Sequence, residues 1–168
     1  RQIIKSGREQ KPQQAGVGMD RPDGSVDTKK RTTTISWIPF DTMKPMYQDL
    51  NNFIQAANLN HFGFDDIRIT EPAQFTEYPV GGFYDWHMDC DVSMGHEPPV
   101  RKISMTLLLN DSSEFEGGDL ELMSPGKIAP LKQGHAICFA SFLNHRVQPV
   151  TRGMRQSLVV WFGGKPFR

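Results

Sequence analysis

The stretch Tyr78–Asp89, Tyr-Pro-Val-Gly-Gly-Phe-Tyr-Asp-Trp-His-Met-Asp, ends in a His-x-Asp pair. In an extended chain the side chains of residues i and i+2 project from the same face, so His87 and Asp89 can bind one cation without a bend in the strand. A pair this short also occurs in solvated turns, or as an imidazole hydrogen-bonded to a carboxylate. A metal site therefore requires a further ligand from elsewhere in the chain.

His145, in the segment Asn-His-Arg-Val, is the best candidate for the third ligand. Two histidines and one carboxylate leave the opposite side of an octahedral ion open, as in non-haem Fe(II) oxygenases. The same ligand types also form open catalytic zinc sites, so zinc is the chief competitor. The sequence has no His-Glu-x-x-His motif, and zinc hydrolysis gives no reason for the arginine described next. The residues favour iron.

Arg155 follows His145 by ten residues, and Ser157 lies two positions further on the same face of a predicted strand. A dicarboxylate cosubstrate that chelates the metal at one end needs a buried cation and a hydroxyl at the other, and a planar guanidinium suits a carboxylate. The opposite face of this strand is apolar, which predicts burial on both sides, where a charge needs a partner. The metal ligands would thus hold one end of a dicarboxylate, and Arg155 with Ser157 would hold the other end.

Four segments in this order resemble the Fe(II)- and 2-oxoglutarate-dependent dioxygenases. Within that family they resemble the prolyl-4-hydroxylase-like branch, which includes bacterial and phage PKHD-type hydroxylases. The segments are at close to the family's spacing and are Tyr78…His87-x-Asp89, Arg101–Asn110, Phe115–Leu122, and His145…Arg155-x-Ser157 with Trp161 beyond.

The resemblance implies a role for each site residue. His87, Asp89 and His145 would be the catalytic residues and bind Fe(II), while Arg155 would bind the distal carboxylate of 2-oxoglutarate. Tyr78 would donate its phenol to the same carboxylate, and Ser157 is included in the cofactor site. The implied reaction uses O2 and yields succinate and CO2, with ascorbate as a possible reductant. Related halogenases lack the carboxylate ligand so that chloride can bind, so the carboxylate here predicts hydroxylation.

The resemblance makes a peptidyl residue the first expectation for the substrate, with proline the first guess. A free amino acid or small metabolite is the alternative within the class, and a zinc-dependent hydrolase or a non-catalytic jelly-roll binding module are the alternatives outside it. Tyr84, Trp86 and Trp161 are candidate substrate-pocket residues. Leu108 stands near where the human oxygen-sensing prolyl hydroxylases carry a tyrosine, which predicts a different pocket. The loop Asp91–Pro99, with His96, is predicted to be a lid.

Composition narrows the partners. Lysine plus arginine (19) balances aspartate plus glutamate (19), so there is no global field to hold nucleic acid or an anionic membrane. A nucleic-acid or membrane partner is therefore not expected, and the partners that the resemblance implies are O2 and a peptide, a protein or a small metabolite. Two cysteines form no disulfide framework, and no long apolar run suggests a signal peptide or a membrane span. These features favour a cytoplasmic location.

The patterns predict a mainly β fold with an N-terminal helix, a double-stranded β-helix or jelly roll, which the resemblance also implies. We expect one domain over 1–168, with a loosely ordered arm at 1–31 and a jelly-roll core at 70–165. In the arm, Lys29-Lys30-Arg31 is interpreted as a solvated edge. A helix capped by Asp41 or Thr42 and running to about Asn58 is predicted. The predicted strands are Thr32–Trp37, Ile67–Thr70, Gln74–Tyr78, Phe83–His87, Lys102–Leu109, Asp119–Met123, Ala136–Ala140, Arg146–Val150 and Ser157–Phe162.

Overall fold

The computed structural model describes residues 1–16, 26–90 and 99–167. Within them the chain forms two α-helices, α1 (Gln2–Glu9) and α2 (Lys44–Ala57), and thirteen β-strands. The strands are β1 (Gln13–Gln14), β2 (Arg31–Thr32), β3 (Thr34–Ile38), β4 (Arg68–Ile69), β5 (Ala73–Tyr78), β6 (Phe83–His87), β7 (Val100–Leu108), β8 (Phe115–Gly117), β9 (Leu120–Leu122), β10 (Ala136–Ala140), β11 (His145–Val147), β12 (Val150–Gly153) and β13 (Arg155–Gly164).

The strands form two main antiparallel sheets that enclose the site. The larger has the order β1-β3-β5-β13-β7-β10, with β4 also paired to β13, and the smaller has the order β2-β6-β11-β9. Strands β8 and β12 make a separate two-stranded ribbon. The predicted jelly-roll, or double-stranded β-helix, fold is confirmed. Two sheets packed face to face leave room between them for a ligand cavity, and both contribute residues to it.

Strand β13 lies at the centre of the larger sheet, between β5 and β7. Arg155 is opposite Tyr78 of β5, and Ser157 is opposite both Thr76 of β5 and Leu108 of β7. One face of β13 is apolar and fully buried, with Leu158, Val160 and Phe162 in the main hydrophobic core. The other face carries Arg155 and Ser157, which are also buried. The predicted burial of this strand on both sides is confirmed.

Two predicted strands are each divided between sheets. Thr32–Trp37 is in fact the end of β2, which pairs with β6, and most of β3, which pairs with β5. Arg146–Val150 likewise spans the end of β11 and the first residue of β12. Pro149 has no N–H to donate to a ladder, so it interrupts pairing at this crossing. Alternating polarity reports which face is buried, but it does not show where a chain passes from one sheet to the other.

The prediction of a loosely ordered arm is wrong for the first sixteen residues. Helix α1 places Ile3 and Ile4 against the main core, and β1 pairs with β3. Gly7 makes the close approach possible, because a Cβ at this position would lie 2.3 Å from Cγ of Phe75. The arm's low apolar content concealed a short helix whose few apolar residues share one face.

Helix α2 begins at Lys44 with Met43 as its N-cap residue, one to two positions after the predicted caps, and no side chain among the described residues caps it. Met46, Tyr47 and Ile54 are buried and face the core, whereas Phe53 is 48% exposed. A π-helical turn, Asn58–Phe62, continues the helix to Gly63, whose φ of 73° suits glycine. Neither helix in the described part of the chain is long and apolar enough to cross a membrane.

Candidate active site

Strands β6 and β11 bring the two histidines together. His87 and His145 are directly opposite each other in the antiparallel pair, and Asp89 lies just past the end of β6, where its backbone N–H donates to Ser141 O at 2.9 Å. The Asp89 carboxylate oxygens lie 3.4 Å from Nε2 of His87 and 3.5 Å from Nε2 of His145. One ligand atom from each residue lies within 4.8 Å of the others. The three predicted metal ligands therefore converge.

Backbone carbonyls orient both imidazole rings. Nδ1 of His87 lies 2.7 Å from Asp85 O, and Nδ1 of His145 lies 2.9 Å from Leu143 O. A carbonyl oxygen only accepts, so each Nδ1 carries the proton and each Nε2 keeps a lone pair for a metal. Burial lowers the pKa of His145, which favours the neutral ring that ligation requires.

The third ligand, Asp89, is held by hydroxyl groups. Ser104 Oγ donates to Asp89 Oδ2 at 2.7 Å, and Ser104 Oγ lies 2.9 Å from Ser141 Oγ. Burial by itself raises the pKa of the Asp89 carboxyl, but His145, His87 and Ser104 together outweigh it and hold that pKa well below its usual range. One carboxylate and two imidazoles whose Nε2 atoms face it are the donor set of the non-haem Fe(II) triad, so these residues fit Fe(II).

A β-bulge in β6 decides which aromatic side chain faces the metal ligands. His145 pairs with His87 but Val147 pairs with Tyr84, so β6 has one extra residue. Tyr84 therefore stacks on His87, with ring centroids 3.4 Å apart and planes 11° apart, and it lines the cavity. Trp86 is not among the described residues that line this cavity, and its ring centroid lies 5.0 Å from the Arg146 guanidinium. Its place in the substrate pocket stays a prediction.

The cavity beside the triad has a volume of about 200 Å³. The three triad residues form part of its wall, and both sheets contribute further lining residues, including the polar Thr106 and the apolar Leu120, Val147 and Val159. The remaining lining residues include Gln13, Arg31, Trp37, Gln74, Tyr78, Tyr84, Met88, Arg101 and Trp161. A metal bound by the triad would thus face an enclosed space with polar and aromatic walls.

The predicted 2-oxoglutarate residues are adjacent but play unequal parts. Tyr78 is among the residues that line the cavity, and Arg155 and Ser157 are its buried neighbours on the adjacent strand. The Arg155 guanidinium lies 5.3 Å from the Tyr78 ring centroid, and its Nη1 donates to Ser157 Oγ at 3.2 Å. Within the described residues no carboxylate forms a direct ion pair with Arg155; burial lowers its pKa, and Tyr78 and the Asp119 carboxylate partly offset that effect. A buried guanidinium with no carboxylate in direct contact fits the distal end of a dicarboxylate.

Gly118 makes room for Arg155. Its φ is +67°, and a Cβ there would lie 2.8 Å from Cδ of Arg155. The sequence predicts a tight turn at Gly117-Gly118, and both glycines do have positive φ. The close approach to Arg155 is a second reason for a glycine at position 118, and the local sequence does not reveal this reason.

Trp161 and Arg101 form one side of the cavity wall. The Arg101 guanidinium lies 3.8 Å from the Trp161 ring centroid and makes two hydrogen bonds to the Glu71 carboxylate, at 2.6 and 2.7 Å. Trp37 packs 6.1 Å from Trp161, centroid to centroid. The Trp161 indole N–H is buried and has no hydrogen-bond partner among the described residues. Trp161 thus lies where the sequence predicts a pocket residue, and it has a free donor.

Arg31 lines the cavity, although no sequence pattern singles it out as a site residue. It was interpreted with Lys29 and Lys30 as a solvated edge, but it is only 6% exposed, in β2. One feature of the sequence does bear on Arg31. Directly after it the chain changes from a polar segment to a β-branched one, and this change marks the place where the chain enters the sheet. A three-residue basic run does not reveal which member turns inward.

The loop Asp91–Pro99, including His96, lies outside the described residues except for its last residue. The lid prediction therefore stays a prediction.

Comparisons with known proteins support the same site. The family model described as the 2OG-Fe(II) oxygenase superfamily matches residues 73–163, a range that contains the triad, Tyr78 and Arg155. A PKHD-type hydroxylase of Xylella fastidiosa is 37% identical over 129 residues, covering 70% of this chain and 56% of its own length. The chain spans about half the length of the curated relatives it matches, with shares of 44%, 42% and 56% for three of them.

Solved structures share the fold. A prolyl-4-hydroxylase from Pseudomonas putida has a TM-score of 0.64 at 24% identity, over 90% of this chain and 78% of its own. A prolyl hydroxylase from Trichoplax adhaerens, in complex with a hypoxia inducible factor peptide fragment, has a TM-score of 0.65 at 20% identity, over 85% and 68% respectively. At these identities the likeness establishes the double-stranded β-helix alone.

Proposed function

Because the chain belongs to the 2OG-Fe(II) oxygenase superfamily, we propose that it hydroxylates a peptidyl residue, with proline the first candidate, in a reaction that needs Fe(II), 2-oxoglutarate and O2. The observation that carries the proposal is the convergence of His87, Asp89 and His145 on the wall of a cavity. Asp89 supports hydroxylation in particular, because its carboxylate occupies the ligand position that a halide would need.

In this proposal the chain's own residues prepare the site for the metal. The carbonyls of Asp85 and Leu143 fix the imidazole tautomers, and Ser104 fixes the carboxylate, so the three donors are oriented before a metal binds. When bound, Fe(II) and 2-oxoglutarate supply the activation of O2, by which one oxygen atom enters a substrate C–H bond and the other enters succinate.

Arg155 and Tyr78 would hold the distal carboxylate of 2-oxoglutarate. They are opposite each other on β13 and β5, and Tyr78 contributes to the cavity wall. The hydrogen bond to Ser157 limits the rotamers of Arg155, so Ser157 acts as a positioning residue for the guanidinium. A charge-assisted contact in a buried site is among the stronger polar interactions available to a protein.

The peptide assignment rests on weaker support than the reaction class. The relatives in sequence carry the name PKHD-type hydroxylase, and solved structures of similar fold include prolyl hydroxylases. The wall formed by Trp161, Arg101 and Trp37 offers an aromatic surface and one free N–H donor. An indole face suits a small apolar ring, and a free donor suits a peptide carbonyl.

The reaction class is tested by following the conversion of 2-oxoglutarate to succinate by NMR. We expect turnover that requires both Fe(II) and O2 and that Zn(II) does not support. Arg155→Gln should raise the 2-oxoglutarate concentration needed for half-maximal turnover by at least tenfold, since a charge-assisted contact contributes about 1.5–3 kcal/mol. Arg152→Gln, a matched change at an exposed arginine paired with Glu116, should leave it unchanged.

The substrate is tested separately, by incubating the enzyme with a proline-containing peptide library and with free amino acids. The proposal predicts a peptide product with one added oxygen atom, located by tandem mass spectrometry. Oxygen addition only to a free amino acid would leave the reaction class intact and overturn the peptide assignment. No succinate under any condition would overturn the reaction class itself.

A further inference from the structure

Arg31 is a buried arginine that lines the cavity, distinct from the buried Arg155, which is not among the lining residues. It lies on β2, in the smaller sheet, and lines the cavity beside Tyr84 and Gln74. Arg155 lies on β13, in the larger sheet. Since the proposed function uses Arg155 for 2-oxoglutarate, it leaves Arg31 without a role.

The partners of Arg31 within the described residues are all uncharged. Its Nε donates to Thr33 Oγ1 at 2.8 Å, its Nη2 donates to Gln74 Oε1 at 2.9 Å, and its Cζ lies 4.3 Å from the Tyr84 ring centroid. These contacts fix the plane and direction of the guanidinium but do not neutralise it, and no carboxylate of the described chain pairs with it. A buried cation without a counter-charge is costly, and an anionic ligand would offset that cost.

Arg31 is also close to the metal ligands. Tyr84 is sandwiched between the Arg31 guanidinium and the His87 ring, with 4.3 Å on one side and 3.4 Å between the rings on the other. One aromatic ring therefore separates the cation from a metal ligand. An anion bound by Arg31 would belong to a molecule whose neighbouring atoms can face the metal.

We propose that Arg31 binds a carboxylate of the substrate, so that the enzyme selects substrates with a carboxylate close to the carbon that is hydroxylated. The inference rests on the proposed function and narrows it. Two N–H groups are already committed to Thr33 and Gln74, and a guanidinium has five, so enough donors remain for a carboxylate. The contacts to Gln74 and Tyr84 hold the guanidinium in place, which reduces the entropy lost when the carboxylate binds.

A carboxylate of this kind can come from two sources. It can be the side chain of an acidic residue next to the hydroxylated residue in a peptide, or the α-carboxylate of a free amino acid. Both sources offer Arg31 the same carboxylate. Two sets of probes separate them, one of peptides and one of free amino acids, and the two members of each pair differ only in having a carboxylate or an amide.

The experiment measures probe binding under anaerobic conditions, by calorimetry, to protein loaded with Fe(II) and 2-oxoglutarate. One probe set pairs each of the twenty amino acids with its amide, and the other pairs acetyl-Glu-Pro-Gly-amide with acetyl-Gln-Pro-Gly-amide. We expect the carboxylate member to bind wild type at least tenfold more tightly in one set, as for a charge-assisted hydrogen bond. The set that shows the preference identifies the source.

Arg31→Gln should abolish that preference, and Arg31→Lys should restore part of it. If Arg31 were only a structural clamp between strands, Arg31→Gln would lower the thermal stability but leave the carboxylate preference in place. A wild type that shows no preference in any pair, or a preference that persists in Arg31→Gln, would overturn the inference.

The binding of 2-oxoglutarate, followed in the same samples by the visible band of its Fe(II) chelate, separates this inference from the proposed function. We expect Arg31→Gln to bind 2-oxoglutarate within about twofold of wild type. A loss of tenfold or more would assign Arg31 to the cosubstrate and overturn the inference alone. Absence of the band in the wild type would instead contradict the proposed function.

Discussion

The Ser104 hydroxyl donates a hydrogen bond of 2.7 Å to Oδ2 of Asp89, and both groups are buried. Ser104 lies on β7, in the larger sheet, whereas Asp89 follows β6, in the smaller one. The contact therefore joins the two sheets at the metal ligands. Because it engages one carboxylate oxygen, it fixes the plane of the carboxylate and favours Oδ1 as the metal-binding atom.

We expect Ser104→Ala to weaken metal binding by about 10–100-fold, the usual effect of removing a partner that orients a ligand. Ser104→Thr keeps the hydroxyl and should recover most of the affinity. Ser112→Ala, at an exposed serine, is the matched control. The measurement is Fe(II) affinity by anaerobic competition with a chromophoric chelator. Unchanged affinity in Ser104→Ala would show that the contact does not orient the ligand.

Gly118→Ala should weaken 2-oxoglutarate binding without a comparable loss of metal affinity, because the new Cβ would displace Arg155, whose Cδ would lie 2.8 Å away. Gly126→Ala is a close control: Gly126 also has positive φ, +82°, but has nothing within 4 Å of a Cβ. Both glycines have positive φ, so the difference between the two variants' 2-oxoglutarate affinities reports the contacts of the new Cβ, which are with Arg155 and, at 3.0 Å, with Cγ2 of Val150. Equal affinities would contradict the proposed role of Arg155.

Gly7→Ala should destabilise the fold by about 1–3 kcal/mol, the usual cost of overpacking a filled site. A Cβ at Gly7 would lie 2.3 Å from the Phe75 ring, and Phe75 is in the main core. Lys5→Ala, at an exposed position on the same helix, should change stability little. Urea unfolding of both variants measures the difference. Equal midpoints for Gly7→Ala and wild type would show that α1 does not pack on β5 as described.

Cys138, on β10, should alkylate slowly and with a displaced pH dependence. Burial raises the pKa of its thiol to about 11, and the thiolate is the reactive form. The alkylation rate should therefore continue to rise about tenfold per pH unit from pH 7.5 to 9.5, whereas a free cysteine begins to level off near its pKa of about 8.5. Iodoacetamide labelling followed by peptide mass spectrometry measures it. A plateau near pH 9 would contradict the burial of this side chain.

The sequence predicted the residues that act through fixed spacing. His87, Asp89 and His145 were found because ligand type and order are local properties, and β13 because its two faces alternate clearly. The sequence did not distinguish Tyr84 from Trp86, because both precede His87 on β6. A bulge turns one of these side chains inward and the other outward, and pairing with β11 determines where the bulge lies. Register is a tertiary property that one strand does not encode.

Arg31 and Gly118 have roles that the sequence did not predict, for a second reason. Arg31 became a wall residue because β2 joins β6, which places its guanidinium over Tyr84. Gly118 approaches Arg155 across a gap of 37 positions in the chain. In both cases the role depends on a partner that is distant in sequence, whereas composition and periodicity describe only neighbours.

The most direct test of the central claim is anaerobic titration of the Fe(II)-loaded protein with 2-oxoglutarate, followed by the weak visible charge-transfer band of the chelate. The account predicts that the band appears in wild type and is lost in His87→Ala. A protein that binds Fe(II) at the triad but never develops the band with 2-oxoglutarate would contradict it.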